Sequence, residues 1–196
     1  MTNVDRTTDG HGWVKDFTLQ EIRKLDAGVR FPGPLRYEPV PTMREVFEIF
    51  DGTRATLNVE LKNSEIAYDG MEERLLELAR KYSLNVVYSS FNVQSMGVIR
   101  KLDAKAWTGL LYAPWLIKSP DVVAAASEQG ANAIHPYVLN TLDRFIREVH
   151  EAGLALSPWT VDLSVLVRHF AATGVETIIS NDPRMAAETV ASVQDR

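Results

Sequence analysis

From residue 55 onward the chain alternates short β-rich runs with amphipathic helical stretches, and this alternation constrains the fold more than any other feature. The strand candidates are Ala55–Lys62 (ATLNVELK), Asn85–Phe91 (NVVYSSF), Lys105–Leu111 (KAWTGLL), Ala131–His135 (ANAIH), Ala155–Val161 (ALSPWTV) and Thr177–Asn181 (TIISN). Helices are predicted near 70–82, 92–103, 119–129, 141–152, 163–173 and 183–194, with another over 41–50. Gly130, Gly153 and Gly174 stand where helices end, and Asp121 and Asp182-Pro183 suit helix starts. Tandem βα units imply a parallel sheet covered by helices, either doubly wound or closed into a barrel. No Gly-x-Gly-x-x-Gly or Walker sequence follows any strand, which argues against the nucleotide-binding version. A (β/α)8 barrel takes about 250 residues. The 196 residues here therefore predict an incomplete α/β barrel of TIM type, lacking its first one or two βα units.

The segment before the repeats reads differently. MTNVDRTTDGHGWV has no strand alternation and no helical periodicity; Asn3, Asp5, Thr7-Thr8-Asp9-Gly10 and Gly12 are turn chemistry. We read residues 1–196 as one domain, opening on this ordered loop and carrying the βα repeats over 41–196. A net charge of −5 offers no basic stripe for nucleic acid. The absence of cysteine excludes disulfides, thiolate zinc sites and thiol nucleophiles. No apolar run approaches the roughly 18–20 residues of a membrane span, and the sequence as it stands predicts a cytoplasmic protein with no transmembrane segment.

The strand LNVELK (57–62) is the most informative. Side chains alternate along a strand, so Leu57, Val59 and Leu61 share one face and Asn58, Glu60 and Lys62 the other. In a barrel the apolar set packs on helices, which turns Glu60 and Lys62 into the lumen near the C-terminal mouth, where barrel enzymes work. Such a carboxylate and ammonium are costly to desolvate unless paired or bound to a cation. They are candidates for ligand binding, or a pair that only satisfies itself. In ALSPWTV, Trp159 faces the same mouth and can form an apolar wall, or be a core residue. The backbone N–H groups of SNDP (180–183) suit a phosphate, although Asp182 also fits as a plain N-cap. His135 closes a strand and could reach the mouth or be structural; His150 and His169 lie on helices as surface residues, and His11 sits between two glycines with no evident partner. No general base is obvious.

These stretches together resemble the glycerophosphodiester phosphodiesterase family, a (β/α)8 barrel group. The matching pieces are DRTTDGHGWVKDFTLQEIRKLDAG (5–28), VPTMREVFEIF (40–50), LNVELK (57–62), SSF (89–91), GLALSPWTV (153–161) and GVETIISNDP (174–183). The RTT-x-G-x-G core and LDAG ending are the most specific, and residues 1–40 resemble the small insertion that follows the family's second barrel strand.

The resemblance implies metal-assisted hydrolysis of glycerophosphodiesters to an alcohol and glycerol 3-phosphate, or, as in phospholipase D-like relatives, cleavage of a lysolipid. Glu60 matches a metal-ligand glutamate that shares Mg²⁺ or Ca²⁺ with an upstream Glu-x-Asp pair. Lys62 matches the lysine that supports the phosphate and is the catalytic candidate. Phe91 and Trp159 match aromatic positions near the substrate pocket. The family's two catalytic histidines and its Glu-x-Asp pair lie upstream of the matched region and have no counterpart in this sequence. The expectation is therefore a weakly held cation, low activity, and open edge strands prone to self-association. A start set too far downstream, an inactive relative serving as a binding module, or a second polypeptide supplying the front half would each account for it.

Overall fold

The computed structural model describes residues 3–31, 33, 37–115 and 121–194. Five parallel strands run in chain order: β1 (Thr56–Glu60), β2 (Asn85–Ser90), β3 (Trp107–Tyr112), β4 (Ala133–Pro136) and β5 (Ala155–Leu156). Each neighbours the next, with Glu60 level with Ser89, Ser89 with Gly109, Gly109 with Ala133 and Ala133 with Ala155. The helices are α1 (Leu19–Ile22), α2 (Met43–Phe50), α3 (Met71–Ala79), α4 (Val93–Leu102), α5 (Val122–Glu128), α6 (Asp143–Glu151), α7 (Ser164–Thr173) and α8 (Pro183–Gln194). This is the α/β architecture the alternation predicts, and no ring closes among the described residues.

Alternation along the strands separates two layers. Leu57, Val59, Tyr88, Leu110, Ile134 and Leu156 pack with Leu76, Ile99, Val149 and Val167 of the helices into one continuous core. The side chains between them in sequence face the other, concave side, where Ser89, Leu111, Ala133, His135 and Ser157 are also buried. Fully burying a Leu, Ile or Val side chain is worth roughly 1.5–3 kcal/mol, so the helix-side layer fixes strand register. A slip by one residue would turn Glu60 into that layer.

Local chemistry sets the helix boundaries. Thr42 and Glu45 form a capping box at α2: the Glu45 N–H donates to Thr42 Oγ1 (3.2 Å) and the Thr42 N–H to Glu45 Oε2 (2.7 Å). Asp121 Oδ1 accepts from Ala124 N–H and Asp182 Oδ1 from Met185 N–H, so both are N-caps. Gly174 stops α7 with φ 80°, a conformation a side chain would strain. The predicted helix over 119–129 begins partly outside the described residues.

Two predicted strands are corrected. Ala155–Val161 is regular only over Ala155–Leu156; beyond it the pairing with β4 continues through Ser157 N–H to Ile134 O (3.0 Å) and Trp159 N–H to Pro136 O (2.9 Å) without forming a regular strand. Thr177–Asn181 is not a strand, but its backbone still joins the sheet: Ile179 N–H donates to Pro158 O (3.0 Å) and Val161 N–H to Ile179 O (2.9 Å).

The described residues between 3 and 40 are mostly turn and loop around the short α1. The Asp5 carboxylate accepts from Gly12 N–H at 3.1 Å and lies 3.1 Å from His11 Nδ1. Those two contacts, the backbone N–H first, hold Asp5 below the usual carboxylate range. Asp9 Oδ1 accepts from Asp26 N–H (2.8 Å), closing the loop on itself. Arg23 ties the region to α2 through Glu45 at 2.5 Å. Among the described residues no helix is long and apolar enough to cross a membrane.

Candidate functional site

Glu60 and Lys62 emerge at the C-terminal end of β1 on the face opposite the helix-side core. Their side chains meet, with Lys62 Nζ (side chain 42% exposed) 2.5 Å from Glu60 Oε1 (31% exposed). Such a half-solvated pair contributes about 0–1 kcal/mol, so it yields readily to a better partner for either charge. The strand end is held in register by Leu61 N–H donating to Ser89 O (2.7 Å). A cavity of about 390 Å³ touches Glu60 but opens on the helix side of β1, where Val59, Leu61, Met71, Leu75 and Leu78 line it. A larger cavity, about 670 Å³, lies elsewhere, at the N-terminal strand ends around Thr56, Asn85 and Trp107. Neither coincides with the C-terminal strand ends on the concave face, where barrels assemble sites and where Glu60 and Lys62 stand.

Phe91 leaves β2 next to the strand that bears Lys62. Its ring meets Trp159 edge to face with centroids 5.7 Å apart. Trp159 in turn meets Tyr137 at 5.4 Å, and Tyr137 meets Trp115 at 4.8 Å, both edge to face. The indole N–H of Trp159 donates to His135 O (2.7 Å), which satisfies the polar end of the ring while its body lines the mouth. Tyr137 and Trp115 escape the strand reading. Tyr137 follows His135 by two residues on the same side of β4, which is the signal that could have found it.

His135 is 4% exposed and its ring lies over Gly109, where a Cβ would come within 2.4 Å of Nε2. Burial pushes its pKa down to about 4, so the ring is neutral at pH 7. Its Nδ1 and the Oγ of Ser89, both fully buried, have no hydrogen-bond partner in the protein. The reading of His135 as a structural residue is the one that fits.

The remaining candidates are committed elsewhere. Two backbone donors of the SNDP turn are already taken: Asn181 N–H donates to Asp162 Oδ1 (2.8 Å) and Asp182 N–H to Ser180 Oγ (3.0 Å). These contacts, the Asn181 backbone first, lower the Asp162 pKa. Asp182 Oδ1 accepts from Met185 N–H (3.0 Å), the N-cap role the sequence also allowed. His11, which the sequence left without a partner, pairs with Asp5. His169 Nε2 lies 2.9 Å from Asp143 Oδ1. His150 Nε2 comes within 3.4 Å of Glu176 Oε2 but makes no aligned hydrogen bond, so we count it as a charge contact only.

A divalent cation fits these residues poorly. Among the described residues there is no cluster of three or more His, Cys, Asp or Glu side chains that could hold one. Glu60 offers a single carboxylate already facing an ammonium, whereas Mg²⁺ and Ca²⁺ want six or more oxygens.

Residues 2–185 match the model of the glycerophosphoryl diester phosphodiesterase family. A glycerophosphodiester phosphodiesterase of Caldanaerobacter subterraneus is 38% identical over 182 residues, covering 92% of this chain and 74% of that protein. One from Bacillus subtilis is 32% identical over 197 residues, 92% of this chain and 67% of its own. Among solved structures, a glycerophosphodiester phosphodiesterase from Agrobacterium tumefaciens superposes with TM-score 0.76 at 23% identity, covering 96% of this chain and 78% of that one. An Oleispira antarctica phosphodiesterase in complex with the product sn-glycerol-3-phosphate gives TM-score 0.78 at 20% identity, over 100% and 78% of the two chains.

Proposed function

Because the chain belongs to the glycerophosphoryl diester phosphodiesterase family, we propose that it binds glycerophosphodiesters at the Glu60–Lys62 end of β1 and hydrolyses them to an alcohol and glycerol 3-phosphate. The observation that carries this reading is the ammonium of Lys62, held 2.5 Å from one weak partner and free to exchange it for a phosphate. The likeness to relatives named for the activity, and to a structure holding sn-glycerol-3-phosphate, supports it.

In this reading Lys62 leaves Glu60 and donates charge-assisted hydrogen bonds to a phosphate oxygen, neutralising charge where it builds during attack by water. The Phe91–Trp159 wall covers the organic part of the substrate and limits stray water. Hydrolysis breaks the ester P–O bond, water supplies the new P–O bond, and the alcohol departs with a proton. A divalent cation would be held here by Glu60 alone, and so weakly, and would supply further neutralisation of the phosphoryl charge.

The rate is the distinctive part of the proposal. All four histidines are accounted for, and none is a free base beside Lys62: His11, His150 and His169 face acidic partners and His135 is buried. Each missing general acid or base costs roughly 10²–10⁴-fold. Purified 196-residue chain is therefore expected to bind glycerol 3-phosphate yet turn over glycerophosphocholine only slowly with Mg²⁺ or Ca²⁺. Ordinary enzyme rates would overturn the low-activity proposal, and failure to bind the phosphate would overturn the site. The same distribution of histidines favours the second reading, a binding member of the family that has little catalytic role.

A further inference from the structure

Immediately after Lys62 the chain turns inward, and Asn63 is 7% exposed. Its amide is used in full. Nδ2 donates to Glu72 Oε1 on α3 (2.9 Å) and to Ser95 Oγ on α4 (2.9 Å), while Oδ1 lies 3.1 Å from the Ser90 hydroxyl. Ser95 Oγ also donates to Glu72 Oε1 (2.6 Å), closing a three-membered ring of hydrogen bonds. Ser90 Oγ donates to Leu61 O (2.7 Å) and accepts from Asn92 N–H (3.0 Å). One buried amide thus joins the exit of β1, the exit of β2 and the starts of two helices.

We propose that Asn63 is a positioning residue, which with Glu72 and Ser95 fixes the backbone on which Glu60 and Lys62 stand. This rests on the functional reading of Lys62 given above. Lys62 ends in a flexible four-carbon stem, so where its ammonium can reach depends on its Cα. Asn63 is covalently adjacent to that Cα and is tied to three separate elements. Buried polar networks of this kind favour a single geometry because a half-satisfied arrangement leaves costly orphans. Apolar packing around Leu61 and Val59 sets the register but constrains the turn at 62–63 from one side only.

The test uses polarity reversal. Asn63→Asp keeps shape but sets a carboxylate against Glu72. Adding Glu72→Gln restores every hydrogen bond with donors and acceptors exchanged, and returns the net charge to its original value. Glycerol 3-phosphate affinity of the full chain is measured by calorimetry, alongside thermal melting, with Leu76→Ala as a destabilised core control. We expect Asn63→Asp to weaken binding roughly tenfold, the double variant to return within about threefold, and Leu76→Ala to melt earlier with its affinity unchanged. A double variant that stays weak, or a Leu76→Ala loss matching that of Asn63→Asp, overturns the positioning role. If the unaltered chain fails to bind glycerol 3-phosphate, the functional reading itself falls and the positioning role with it.

Discussion

Phe91 and Trp159 touch edge to face at 5.7 Å although β3 and β4 lie between the strands they follow. Neighbouring strands sit about 4.8 Å apart, so three intervals in a flat sheet would separate them by about 14 Å. The two rings reach toward each other across the sheet and meet over the strands between them.

Removing that contact has a defined cost. Trp159→Ala deletes the partners of Phe91 and Tyr137 and the donor to His135 O. Aromatic pairs contribute about 0.5–1.5 kcal/mol each beyond burial, so binding of glycerophosphocholine should weaken roughly tenfold while inorganic phosphate binding changes little. Calorimetric titration with both ligands checks it.

Lys62→Met should lower affinity for glycerol 3-phosphate roughly 10- to 100-fold, the worth of a charged hydrogen bond. Glu60→Gln should act in the opposite direction. It removes the carboxylate that competes for Lys62 Nζ at 2.5 Å, and an ion pair of this exposure yields only a few-fold gain. It should also abolish any effect of Mg²⁺ or Ca²⁺ on binding. Equal losses in both variants would refute the division of roles.

His135 ties stability to pH. Its folded pKa, about 4, lies below the unfolded value of 6.5. As pH falls below 6.5 the unfolded chain gains a proton that the folded chain refuses until about pH 4, so stability is complete above 6.5 and declines across that window. The loss reaches roughly 3 kcal/mol. Chemical denaturation at pH 7.5 and 4.5 should show the decline, and His135→Asn should flatten it.

Among the described residues the outer edge of β1 pairs with no strand. We propose that it supports self-association. Light scattering should give a mass that rises with protein concentration; a constant 21.9 kDa species would remove the proposal.

Alternation of residue types locates β1 to β4 within two residues of their observed ends, because each has one apolar face pressed on helices. It fails at Ala155–Val161, where the regular strand ends after Leu156 while apolar alternation continues. The outward-from-core placement of Glu60 and Lys62 is legible from LNVELK alone. Their direct pairing is not, since either long side chain had other rotamers open to it. The Asn63 network is also hidden in sequence: its members lie as far as 32 residues apart and meet only once two βα units have folded.

The imidazole resting on Gly109 has an evolutionary corollary. A methyl group at 109 would collide with the ring at 2.4 Å, so these two positions can drift only in concert. Homologues bearing alanine or anything bulkier at the first should have surrendered histidine at the second, and a lineage that kept the ring inherits a strand permanently barred from acquiring a side chain there.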